Sequence, residues 1–198
     1  MIKTIIQSIR QTLLWTVICG VLYPLAFTVF AQLAFPRQAN GSLVLRDGKL
    51  VGTELMAQQF TGARYFWPRP SAATYGTGPT GLNAGSGSNL GPTSAQLQTN
   101  VRTNAKALRD AGKLAADAPV PADLVYASAS GVDPHISPEA ARFQIARVAS
   151  ARAMSEDQVR ALVEKFIEPA QWGFLGEPRV NVLLLNLALD GADAKKSG

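Results

Sequence analysis

The sequence predicts an α+β protein in two parts: one N-terminal transmembrane helix, then a single water-soluble domain tethered behind it. Three observations carry this reading. An apolar run without a charge separates Arg10 from Arg37. Beyond it, a hairpin signal and strand-like apolar runs alternate with three capped, amphipathic helix patterns, the order expected of an α+β domain. About 160 residues follow the run, enough for one domain with its own core.

The run from Leu13 to Phe35 reads LLWTVICGVLYPLAFTVFAQLAF. As a helix it reaches roughly 34 Å, enough to cross a hydrocarbon core of about 30 Å with some tilt. Its polar side chains Thr16, Cys19, Thr28 and Gln32 can be satisfied along the helix or by a neighbouring one. Pro24, following Tyr23 and Gly20, breaks the backbone ladder mid-span, and helices packed alongside can satisfy the freed groups. With Gly20 and Thr16 on nearby faces, a kinked span suits packing in a complex. The alternative is a cleaved leader that releases a binding protein, with Lys3 and Arg10 as its charged region and cleavage near Ala31. The apolar run exceeds the roughly 7–15 residues of a leader, which favours the anchor. The expected boundaries are residues 1–12 for a short N-terminus, 13–35 for the span and 36–198 for the domain.

The formal net charge is +5. Lys3 and Arg10 are two of 19 basic residues, leaving 17 in the domain against all 14 acidic ones. That small surplus is scattered, not striped along one helix, which excludes a nucleic-acid footprint. The sole cysteine, Cys19, lies in the span, so the domain uses no disulfides. Basic residues flank both ends of the span, so charge leaves its orientation open.

Pro36 and Arg37 are expected to close the span. The runs 42–45 and 49–51 flank Arg46-Asp47-Gly48, a hairpin signal. Residues 64–70, RYFWPRP, crowd aromatics with prolines and arginines, and 71–94 is dominated by Gly, Ser, Thr, Asn and Pro. Such a stretch is a functional loop or a flexible one. Thr93 and Gln96 form a capping-box pattern before a helix whose buried face is Leu97, Val101, Ala105 and Leu108, ending at Gly112. The run 124–128 reads as a strand. Ser137 caps a helix with Pro138 at its first position, and Ser155 with Gln158 opens another that buries Val159, Leu162, Val163 and Phe166. Finally, 180–189 alternates as a central strand buried on both faces, punctuated by Asn181 and Asn186.

Catalytic chemistry is sparse. His135 is the only histidine; beside Asp133 and two prolines it reads as a turn leading into the cap at Ser137. One histidine and one cysteine cannot assemble a zinc site, and the acidic residues do not cluster as calcium or magnesium ligands do. The Gly-rich stretch 84–92 lacks the Gly-Lys-Ser/Thr ending of a phosphate loop and follows a loop, not a strand. No lysine or arginine lies between Arg69 and Arg102 to neutralise phosphate.

Several motifs occur together in one order: Tyr23-Pro24 in the span, then Asn40-Gly41-Ser42-Leu43, Tyr65-Phe66-Trp67-Pro68-Arg69-Pro70-Ser71, Gly87-Ser88-Asn89-Leu90, the stretch from Val125 to Gly131, and the stretch from Val180 to Asp190. In this, the chain resembles the KdpC family, the C subunits of bacterial Kdp potassium-transporting ATPases. The likeness runs from about Trp15 to Asp190. It implies a non-catalytic subunit of an ATP-driven potassium importer, with its amino terminus in the cytoplasm and an extracytoplasmic α+β domain on the far side of the cell inner membrane. The implied partners are a channel-like potassium-translocating subunit, a P-type ATPase subunit that carries ATP hydrolysis, and a small membrane subunit. The family is described as raising the ATP affinity of the pump subunit, with nucleotide contact at a loop corresponding here to 85–89. ATP is therefore the implied cofactor, with Ser88 and Asn89 its contacts, although Ser86 stands where the family usually has glycine. Gly20, Tyr23, Pro24, Gly87 and Asn89 are the expected partner interface.

Overall fold

The computed structural model describes residues 1–72 and 87–194. The chain divides into two compact units, Met1–Val51 and Gly52–Gly198.

The first unit is dominated by one apolar helical stretch, Ile2–Ala34, long enough to cross a membrane. It comprises α1 (Ile2–Val17), a wide π-helical turn (Ile18–Leu22) and α2 (Tyr23–Ala34). Its cause is local: Pro24 has no N–H, and its ring crowds the carbonyl four residues back, so the preceding turn opens. Tyr23 N–H accordingly donates to Ile18 O, five residues back. The helix begins well before Leu13, because Ile2, Ile5, Ile6, Ile9 and Leu13 already repeat with helical spacing. At the other end the backbone leaves the helix at Phe35 (φ −138°), and Pro36 opens a separate short helix, α3 (Pro36–Ala39). Asn40 ties that turn back, donating to Gln32 Oε1 at 3.0 Å and to Pro36 O at 2.6 Å. Then β1 (Leu43–Arg46) and β2 (Lys49–Thr53) form the expected hairpin. Asp47 and Gly48 both take positive φ (52° and 74°), the two-residue turn whose twist matches the strands.

The second unit packs helices α4 (Ala95–Gly112), α5 (Pro138–Phe143), α6 (Ile145–Arg152), α7 (Glu156–Lys165) and α8 (Val182–Ala194) with a small antiparallel sheet. The sheet holds β3 (His135–Ile136), β4 (Ile167–Glu168) and β5 (Arg179–Asn181) in the order β3-β5-β4. Ile136 and Ile167 both face Val180 in register. These residues join Phe66, Ile145, Val148, Val159, Val163, Leu185 and Leu189 in one core. A membrane-crossing helix followed by an α+β domain is thus the architecture the sequence predicts.

Three expectations are corrected. The stretch 180–189 is not a strand: only Arg179–Asn181 is extended, and the leucine run is helix α8. Val182, Leu185, Asn186 and Leu189 are buried, a helical spacing that the run of leucines disguises as alternation, and leucine is a strong helix former. Asn181 makes the switch, its Oδ1 accepting from Leu184 N–H at 3.2 Å. The stretch 124–128 is not a strand either. It follows a 3₁₀ turn (Ala122–Leu124), and Tyr126 N–H bonds locally to Ala122 O at 2.9 Å. The cap of α4 is Ser94, one residue beyond Thr93, accepting from Leu97 N–H at 3.3 Å. The other caps form as read: Ser137 on Ala140, and a reciprocal box between Ser155 and Gln158.

Candidate functional site

The segment 64–71 has no regular secondary structure, yet Phe66 is fully buried. Two side-chain amides supply its backbone partners. Phe66 N–H donates to Asn186 Oδ1 at 2.8 Å, and Asn186 Nδ2 donates to Phe66 O at 3.0 Å. Trp67 N–H donates to Gln144 Oε1 at 2.8 Å, and Gln144 Nε2 returns to Trp67 O at 3.2 Å. Each amide imitates one rung of a β-ladder, which lets an irregular strand lie in a core without orphaned peptide groups.

Arginines of α6 brace the same segment from the side. Arg147 donates to Ala63 O at 2.7 Å, and its guanidinium lies 4.2 Å from the Trp67 ring centroid. Burial pulls its pKa down to about 10, so it stays charged at neutral pH. Arg152 donates to Arg64 O at 2.6 Å and to Asp190 Oδ1 at 2.8 Å, under the Tyr65 ring. Desolvated cation–π contacts of this kind contribute about 1–2 kcal/mol each.

The far end of the segment is joined to the loop before β3. Arg69 Nη1 donates to Asp133 Oδ2 at 2.8 Å, and Asp133 Oδ1 accepts from His135 N–H at 3.0 Å. Burial raises the Asp133 pKa, but hydrogen bonds from His135 and Arg69, with the charge of Arg69, outweigh it and bring it down to about 2. His135 is not in the turn its neighbours predict: it opens strand β3, with its backbone paired opposite Asn181. Its Nδ1 is 3.6 Å from Asp133 Oδ1. The Nε of Arg69 is buried with no hydrogen-bond partner.

Motifs far apart in sequence meet here. Pro70 O accepts from Ser128 N–H at 2.9 Å, and Ser71 Oγ donates to Gly131 O at 2.5 Å. Gly87 sits against the same loop so closely that a Cβ would lie 2.6 Å from Ala129 O. Only glycine fits there. Asn89 follows with φ 51°, a conformation asparagine tolerates better than most residues. Between these segments lies a cleft of about 300 Å³ lined by Ser71, Ser88, Asn100, Asn104, Val125 and Ala127, among others. A neighbouring cavity of about 330 Å³, lined by Trp67, Arg69, Pro70, Asn104 and Leu108, shares Pro70, Ser71 and Asn104 with it. Neutral hydroxyls and amides provide the polar lining of the first cleft, with no lysine or arginine among the described residues that wall it.

Of the residues singled out from sequence, Ser88 lines the cleft, Gly87 packs against Ala129, and Asn89 follows them in the chain. Gly20, Tyr23 and Pro24 lie in the other unit, in and just after the wide turn. Gly85 and Ser86 of the implied nucleotide loop lie outside the described residues. Sequence reasoning missed Gln144, Arg147, Arg152 and Asp190. It registered Asn186 without its use, although an amide inside a leucine run signals a buried polar partner.

One helix long and apolar enough to cross a membrane, followed by an α+β domain built around an amide-clamped aromatic segment, defines the class of a membrane-tethered protein. The family profile for KdpC, K+-transporting ATPase c chain, matches residues 5–191. A potassium-transporting ATPase KdpC subunit of Methylococcus capsulatus is 54% identical over 192 residues, covering 96% of this chain and 98% of that protein. KdpC subunits of Geobacter metallireducens (51% over 185 residues, 92% and 95% covered) and Sorangium cellulosum (54% over 180 residues, 91% and 93% covered) are similar. The chain belongs to the KdpC family and is a membrane-associated subunit of a potassium-transporting ATPase. The released binding protein considered from the sequence finds no support in these matches.

Proposed function

We propose that this chain is a non-catalytic accessory subunit that supports assembly of a high-affinity potassium uptake pump, with ATP hydrolysis carried by a P-type partner. Its span crosses the inner membrane with the amino terminus in the cytoplasm, and its domain lies outside. The span packs through Gly20, Tyr23 and Pro24, and the cleft edge at Gly87 and Asn89 docks on the channel-like subunit. The small membrane subunit completes the complex. A docking role is favoured over nucleotide binding by one observation above all: the described residues that wall the cleft beside Ser88 are neutral, and Arg69, which lines the neighbouring cavity, already faces Asp133. A triphosphate needs cations or a helix N-terminus. An effect on ATP affinity is then indirect, and it requires the subunit to bind two pump states with different affinity.

Calorimetry on the full-length chain in detergent, paired with co-purification of the pump, tests this. The expected result is no saturable ATP binding by the isolated chain, while Ser88→Ala with Asn89→Ala weakens assembly or potassium uptake. Micromolar ATP binding abolished by the same pair would overturn it.

A further inference from the structure

The turn before β5 presents aromatic side chains to solvent on a stiff backbone. Gln171 and Leu175 exchange both backbone hydrogen bonds at 2.9 Å, and Gly173 N–H closes the turn onto Ala170 O at 3.0 Å. Gly173 and Gly176 have φ of 83° and 79°, and between Gln171 and Gly173 the bulky Trp172 is itself held at φ 53°. A left-handed tryptophan is a strained residue that its surroundings must hold in place. Trp172 is 85% exposed and Phe174 74%, the highest values among the described large apolar residues after Gly52. Leu175 beside them is exposed as well.

A tight turn that points two aromatics outward has the properties of a binding anchor. Large rings with little conformational freedom left to lose dominate interface energetics when a partner supplies a pocket. Charge distinguishes the occupants. The stretch 169–178, PAQWGFLGEP, contains one ionisable residue, Glu177, and no lysine or arginine. An anionic lipid surface is held by basic residues and repelled by a carboxylate, so the composition disfavours headgroups and suits an apolar protein pocket with a polar rim.

We infer that Trp172 and Phe174 form the anchor pair of a docking turn that inserts into an apolar pocket on the extramembrane surface of another subunit of the pump. The inference rests on the reading of the chain as an assembled pump subunit, and it concerns a surface separate from the cleft at Gly87.

The test places the photo-reactive p-benzoylphenylalanine at Phe174 in the full-length chain, co-purified with the other pump subunits. Irradiation is expected to give an adduct whose peptide maps to an extramembrane segment of a different subunit. In parallel, Trp172→Ser with Phe174→Ser is expected to speed release of the chain from the complex about tenfold or more, leaving the melting of the isolated chain unchanged. Adducts to lipid alone, adducts only to a second copy of this chain, no adduct above the irradiated parent, or unchanged release in the double variant would each overturn the inference while leaving the pump reading intact. Failure of the unmodified chain to co-purify would overturn both.

Discussion

Two regions of the domain satisfy their backbone in opposite ways. Helix α7 is self-contained: Ser155 and Gln158 close its first turn within four residues of sequence. The segment 64–71 is held from a distance, its peptide groups answered by Gln144, Arg152 and Asn186, residues 77 to 120 positions away. The first kind of structure tolerates the loss of one contact, because neighbouring turns persist. The second has no ladder of its own, so each side chain that serves it acts as secondary structure by proxy.

The largest effect should come from breaking that proxy. Asn186→Leu leaves both Phe66 peptide groups buried and unpaired, and unpaired groups cost about 1–3 kcal/mol each. Equilibrium denaturation of the full-length chain should show a loss of roughly 3–5 kcal/mol. A loss under about 1 kcal/mol would mean that the segment finds other partners.

Asp133 sharpens the comparison through pH. Its folded pKa of about 2 lies below the ordinary 3.8, so the carboxylate stabilises the fold above pH 4. That contribution is lost as pH falls from about 4 through about 2. Asp133→Asn should cost about 1–2 kcal/mol at neutral pH, allowing for partial exposure of the pair, and should flatten stability over that acid window. An unchanged acid limb would refute the assignment.

Local structure should yield the least. Ser155→Ala removes one cap hydrogen bond and should cost about 1 kcal/mol, read as a shift in denaturation midpoint at unchanged slope. A cost matching that of Asn186→Leu would erase the distinction between the two regions.

The same distinction explains what could be read from the amino acids. The α4, α5 and α7 patterns were legible because periodicity and caps are local, within three or four residues. The membrane helix was legible from length and composition, and the hairpin from Asp47-Gly48. The end of β5 was not, since Leu183, Leu185, Leu187 and Leu189 alternate as well as they repeat helically, and the deciding contact is Asn181 with Leu184. The convergence of 70–71, 87–89 and 128–131 depends on tertiary packing, so the family motifs named the residues but not the cleft they share.

The wide turn at Ile18–Leu22 has a consequence for angular phase. Such a turn accommodates one extra residue without advancing the helix. Counted at about 100° per residue, an uninterrupted helix would set Thr28 about 160° from Thr12, nearly on the opposite side. With one residue absorbed, the offset falls to about 60°, and Gln32 follows at about 100° in place of about 200°. Thr12 and Thr16 before the turn, and Thr28 and Gln32 after it, are brought towards one side of the rod. A helical wheel drawn straight through Pro24 scatters them. Deleting a single residue within 18–22 would rotate one half against the other, while leaving composition and hydropathy almost untouched.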